Sequence, residues 1–157
     1  MTTAIQYVTL GAPGTVFAVP VGRVRQILDL QPALPLPRAP VHFLGLIDLR
    51  GHSVPVIDLR RKLGMPDVAD TADTRILVLD VDGGQTGNWI GIKTDQVFEV
   101  THLDPDSFED PQQTGLAWCS GVVAGIAHRN GSFVTVLDTD HLLAPDVAEG
   151  QADPKAA

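Results

Sequence analysis

The chain has 157 residues, 44% of them hydrophobic and 19% charged, and a formal net charge of −8. That length suits one compact domain or two small ones sharing a core, and the charge opposes both non-specific nucleic-acid binding and docking on anionic lipid. The single cysteine, Cys119, excludes an internal disulfide framework and a multi-cysteine zinc site.

Glycine and proline punctuate short runs rich in Val, Ile and Leu, the pattern of many strands joined by tight turns. The first residues, Met1–Gln6, lack the basic stretch and apolar core of a secretory signal, and no apolar run approaches the ~20 residues of a membrane span. A cytoplasmic protein is expected. Strands are predicted over Ile5–Leu10 and Val16–Val19. Val21–Leu30 is predicted as a helix, because Val21, Val24, Ile27 and Leu28 fall at three- and four-residue spacing. Pro32, Pro35, Pro37 and Pro40 make Gln31–Pro40 an extended segment. Strands follow at Leu46–Leu49 and Val54–Ile57, then a short helix capped by Asp58 and stopped by Gly64. Met65–Thr74 is expected to be a mobile loop. Strands Ile76–Val81 and Asn88–Ile92 flank Gly83–Gly87, which reads as a hairpin loop, since it lacks the lysine and the helix of a phosphate-binding loop. A strand at Val97–Thr101 leads to a second mobile loop, Asp104–Gly115, whose acids read as solvated. Strands Val122–Ala127 and Phe133–Leu137, a helical turn at Asp138–Leu143 and a flexible tail over 144–157 complete the chain.

The chain repeats itself. Gly45–Leu59 aligns without gaps on Gly125–Thr139, setting Gly51 on Gly131 and Asp58 on Asp138. Each copy reads as strand, glycine turn, strand and capping aspartate, and Asn130-Gly131 is a strong hairpin signal. A weaker echo sets Phe17-Ala18-Val19 and Val24 against Ile90-Gly91-Ile92 and Val97. Two copies of one small β unit follow, packed together because neither buries enough surface alone.

No catalytic constellation is evident. His42, His52, His102, His128 and His141 show no ligand spacing on one helix, and no thiol neighbours them. Cys119 sits beside Trp118 and reads as core. The pairs Asp80/Asp82 and Asp138/Asp140 read as turn and cap residues. The expectation is a non-enzymatic binding module without metal or cofactor. Val24, Ile27, Val97, Phe98 and Val100 hold corresponding places in the two repeats, where core and interface readings both stay open.

The ordered motifs bear a resemblance. Phe17-Ala18-Val19-Pro20-Val21, Val24-Arg25-Gln26-Ile27-Leu28, Leu34-Pro35-Leu36-Pro37, Leu49-Arg50-Gly51, Val54-Pro55-Val56-Ile57-Asp58-Leu59-Arg60 and Asp95-Gln96-Val97-Phe98-Glu99-Val100 are similar to those of the CheW family, adaptors of bacterial chemotaxis arrays. The similarity runs from about Gln6 to Leu143. It implies an all-β fold of two SH3-like five-stranded barrels in a single domain over 5–143. One barrel is expected mainly over 22–80, the other mainly over 81–143 with help from the N-terminal strands. It also implies a scaffold that couples the cytoplasmic tip of chemoreceptors to the regulatory domain of a CheA-type histidine kinase. By motif position, Val24, Gln26 and Ile27 would face the kinase, and Val97, Phe98 and Val100 the receptor. Arg50 and Gly51 would form a turn concerned with kinase control. Lys93, where an apolar strand residue is usual, must snorkel or face a partner. Gln26 replaces a common acid, and Trp89 and Trp118 are atypical. An adaptor for another chemosensory pathway, such as twitching motility or second-messenger control, is the alternative. A CheV-type protein would need a receiver domain, and an enzyme would need Asp48, His52 and Cys119 together.

Overall fold

The computed structural model describes residues 4–12, 14–81, 87–110, 121–129 and 131–143. The strands are β1 (Ile5–Ala12), β2 (Thr15–Pro20), β3 (Val24–Asp29), β4 (Phe43–Leu49), β5 (His52–Asp58), β6 (Arg75–Asp80), β7 (Trp89–Thr94), β8 (Gln96–Leu103), β9 (Val123–Arg129) and β10 (Ser132–Leu137). One-turn helices α1 (Leu59–Lys62) and α2 (Thr139–Leu142) follow β5 and β10. The strands form two five-stranded sheets, ordered β3-β6-β7-β5-β4 and β8-β1-β2-β10-β9.

The expected helix over Val21–Leu30 does not form. A single 3-10 turn, Val21–Arg23, leads directly into β3. Along β3, half-buried Val24, Gln26 and Leu28 alternate with exposed Arg25, Ile27 and Asp29. The register with β6, shifted at Arg25, puts Gln26 and Leu28 on the side of Val78 and Ile76 and puts Val24 and Ile27 on the side of Leu79 and Leu77, as a strand and not a helix does. Ile27, apolar yet exposed, had completed a spurious helical stripe.

The internal repeat is structural. β4, β5 and α1 recur as β9, β10 and α2. Asp58 accepts a hydrogen bond from the Arg60 N–H and Asp138 one from the His141 N–H, so each caps its helix. The correspondence extends to pairing. Parallel contacts join β5 to β7 with Val56 opposite Gly91, and β10 to β2 with Val136 opposite Ala18. A bulge interrupts β3 at Arg25 and β8 at Phe98, the same place in each copy. Thus β8, β1 and β2 play the parts of β3, β6 and β7. The N-terminal strands β1 and β2 complete the second unit, and β7, expected with the later part of the chain, pairs in the first.

Alternation feeds three cores. Ile47, Val54, Val56, Ile76 and Val78 fill the first unit, while Tyr7, Ala18, Leu103, Ala127, Val134 and Val136 fill the second. The opposite faces of the same strands meet between the units, where Val8, Leu10, Phe17 and Val19 pack with Ile57, Leu77, Leu79, Ile92 and Leu142. Strands buried on both faces explain why Ile76–Leu79 is an unbroken apolar run.

Each unit is crossed by an extra segment. Leu34 bridges Leu46, and Glu109 bridges Ile126 at the equivalent position. The repeated glycines permit these crossings. A Cβ on Gly45, whose φ is +146°, would lie 2.4 Å from the Leu34 carbonyl oxygen, and one on Gly125 would lie 2.7 Å from the Phe108 Cβ.

Met65–Thr74, expected to be mobile, has no helix or strand but is tied down. Arg60 donates to the Pro66 carbonyl, Arg61 pairs with Asp67, and Lys93 pairs with Asp70. Lys93 therefore snorkels to an acid of its own chain. Trp118, Cys119, Asp82, residues 83–86, Asn130 and the tail over 144–157 lie outside the described residues.

Candidate functional site

The residues expected to face partners fall on two strands that the repeat makes equivalent. β3 is an edge of the first sheet and β8 an edge of the second. An edge strand leaves half its backbone groups and one row of side chains for another chain. Val24 and Val97 hold matching positions, both half-buried and both packed against the core between the units. Ile27 and Val100 also match, and both point outward, 45% and 55% exposed. Gln26 is half-buried, whereas its counterpart Glu99 is exposed. Phe98, at the bulge of β8, is 36% exposed. Each expected set thus combines a half-buried valine with an exposed apolar residue, and the first also holds half-buried Gln26.

The two edges differ in their support. On β8, the Thr9 hydroxyl donates to the Glu99 carbonyl at 3.0 Å and accepts from the Glu99 N–H at 3.2 Å, satisfying the bulge. Arg129 of β9 donates to the Thr101 hydroxyl at 2.6 Å and pairs with Glu99 at 3.0 Å. These bonds join the first and last strands of that sheet and curl it on itself. Behind β3 stands a stack that the motifs did not reveal. The Arg25 guanidinium lies 4.5 Å from the centre of the Trp89 ring, and His52 packs on Trp89 with ring centres 4.3 Å apart. Asp80 accepts from Arg25 Nη1 at 3.4 Å. The visible signal was Trp89 itself, an atypical residue at the start of a strand.

Arg50 and Gly51 form the tight turn between β4 and β5, with φ of +55° and +86°. Both central residues lie in the left-handed region, as a turn matched to strand twist requires, and the Gly51 N–H donates to Asp48 Oδ1 at 3.1 Å. Arg50 is exposed at the tip.

Two clefts occupy corresponding places beside the crossing segments. One, of about 430 Å³, is mainly apolar, with Leu30, Ala33, Leu44, Val56 and Ile76 in its lining and Lys93 and Asp70 among its polar members. The other, of about 530 Å³, brings Tyr7 and Phe108 beside Arg23, Glu109, Asp138 and Asp140. Its charged groups are already engaged. Arg23 pairs with Asp140 at 2.8 Å, Glu109 lies 3.3 Å from His128, and Asp138 caps α2. Burial raises the Tyr7 hydroxyl above its ordinary pKa. Among the described residues, no three His, Cys, Asp or Glu side chains converge to hold a metal. Among the described residues, no helix is long and apolar enough to cross a membrane.

A CheW-like domain model matches residues 6–146, nearly the whole of this architecture. The chain belongs to the CheW-like domain family. Among CheW relatives, the chemotaxis protein CheW of Bacillus subtilis (strain 168) is 32% identical, over 91% of this chain and 89% of its own. The chemotaxis protein CheW of Rhizobium meliloti (strain 1021) is 24% identical, over 95% of this chain and 99% of its own. In fold, the chain is similar to the crystal structure of the scaffolding protein TtCheW from Thermoanaerobacter tengcongensis. That match has a TM-score of 0.77 and 22% identity, covering 93% of this chain and 95% of the other. The CheW-like assignment agrees with the two SH3-like, five-stranded units and the few short helices.

Proposed function

We propose that this chain is a non-catalytic scaffold of a chemotaxis signalling complex, coupling the cytoplasmic tips of chemoreceptors to the regulatory domain of a CheA-type histidine kinase. In this reading, β3 with Val24, Gln26 and Ile27 serves the kinase, and β8 with Val97, Phe98 and Val100 serves the receptor. The observation that carries it, beside family membership, is the pair of equivalent edge strands, each with an outward apolar side chain. One chain thereby offers two separate docking edges, which is what a coupling protein needs. Apolar anchors of this size give specific but exchangeable contacts.

The test is calorimetric titration against the kinase regulatory domain and, separately, against a receptor-tip hairpin. Ile27→Glu should weaken the first binding at least about tenfold and spare the second, and Val100→Glu should do the reverse. Ile27 is a better probe than Val24, because a charge at Val24 would also disturb the core between the units. Absence of wild-type binding to both partners would sink the proposal. Arg50, exposed at its turn, is proposed to act in kinase control. Arg50→Ala should leave both affinities within about twofold while altering kinase autophosphorylation in the reconstituted three-component complex.

A further inference from the structure

We infer that β3 docks a partner surface that presents a carboxylate, which the Arg25 guanidinium receives. The inference rests on the adaptor reading and specifies the chemistry of one of its two edges. Arg25 is the bulge residue of β3, and bulges re-aim side chains. Its side chain is 46% exposed. The guanidinium carbon lies over the Trp89 ring, 4.5 Å from its centroid, with His52 packed on the same ring. Asp80 takes one N–H at 3.4 Å, and no other N–H of Arg25 has a partner among the described residues. A guanidinium keeps its N–H groups in one plane, and the contact with the ring limits its rotation. That is a fork shaped for a carboxylate, its ordering cost largely met before binding.

The neighbours complete the pattern. The bulge turns Arg25 to the face of Asp80 and Trp89, whereas exposed Ile27, paired with Leu77, lies on the other face with Asp29, which is 3.7 Å from Arg75. Phe98, Val100 and His102, all exposed, hold the equivalent positions of β8. The repeat makes the two edges alike in shape, but β3 carries a held cation where β8 carries a phenyl ring. A partner suited to β3 offers a carboxylate that reaches Arg25 beside Trp89 and, on the other side of the strand, an apolar side chain that covers Ile27. On β8 that carboxylate would be buried against Phe98 without a partner, so the difference also keeps the wrong partner off.

The experiment is calorimetry of the full chain with the kinase regulatory domain, at low and at high salt. It compares wild type, Arg25→Lys, Arg25→Glu and Ile27→Glu, with circular dichroism melts confirming that each variant folds. Arg25→Glu should weaken binding at least about tenfold. Arg25→Lys, which keeps the charge but loses the fork, should weaken it about threefold or more. Salt should weaken the wild type more than Arg25→Glu. If both Arg25 variants bind like wild type while Ile27→Glu does not, the inference falls and the adaptor reading stands. If wild type does not bind at all, the adaptor reading falls and takes this inference with it.

Discussion

Gly45 shows how one atom can matter. Its φ of +146° and the Leu34 carbonyl oxygen, 2.4 Å from where a Cβ would stand, leave neither conformational nor steric room. Gly45→Ala should cost about 3 kcal/mol, through strain and overpacking together. Gly125→Ala meets the Phe108 Cβ, fixed to the crossing backbone, at 2.7 Å, but its φ is not positive, so overpacking without backbone strain should cost about 2 kcal/mol. Urea midpoints of the two variants check the difference. At the surface, Arg61 hydrogen-bonds Asp67 and holds its carboxyl below the ordinary pKa. The folded chain then binds fewer protons at Asp67 than the unfolded one. The contribution is complete above the ordinary carboxylate range and is lost as pH falls through the depressed folded value. Asp67→Asn should therefore lower Tm slightly at neutral pH and not in strong acid, and the difference should shrink in high salt. Thermal melts at several pH values test this.

At the level of elements, the two caps offer a matched comparison. Asp58→Ala and Asp138→Ala each remove an acceptor from the first turn of a one-turn helix, at about 1 kcal/mol. Denaturant melts should show similar losses, since the repeat gives the two carboxylates the same task. Both caps were readable from Asp58 and Asp138, as were the strands other than β3, because glycine, proline and β-branched runs mark strands directly. β3 was misread because periodicity reports which residues are apolar, and Ile27 is apolar but outside. The pairing of β1 and β2 with β8 and β10 was readable only as a general contribution of the N-terminal strands, since spacing along a chain does not name partners. In the candidate site, motif position singles out Ile27, Phe98 and Val100, and their exposure is seen only in the fold. The Arg25–Trp89–His52 stack was not legible, because its members come from three strands that only the folded sheet sets side by side.

Across the whole molecule, the core between the units decides stability. Leu77, Leu79 and Ile92 of the first unit are fully buried against Val8, Leu10 and Val19 of the second. Leu79→Ala should cost about 2–5 kcal/mol and lower the hydrogen-exchange protection of both units together. A fragment of residues 22–95 carries every strand of the first sheet, yet it would expose that apolar face to water. Such a fragment should show no cooperative melt, whereas the full chain should unfold in one transition. The placement of β1 and β2 also sets a timetable. A ribosome releases these two strands first, but their neighbours β8 and β10 lie beyond Gln96 and Ser132. The first sheet can pair during synthesis, while the opening hairpin waits for β8 and then β10. The edge proposed for the receptor, β8, can join β1 once Leu103 is made, but a nascent chain stalled before Ser132 lacks the strand that links β2 to β9, so the second sheet is the last part of the molecule to be completed.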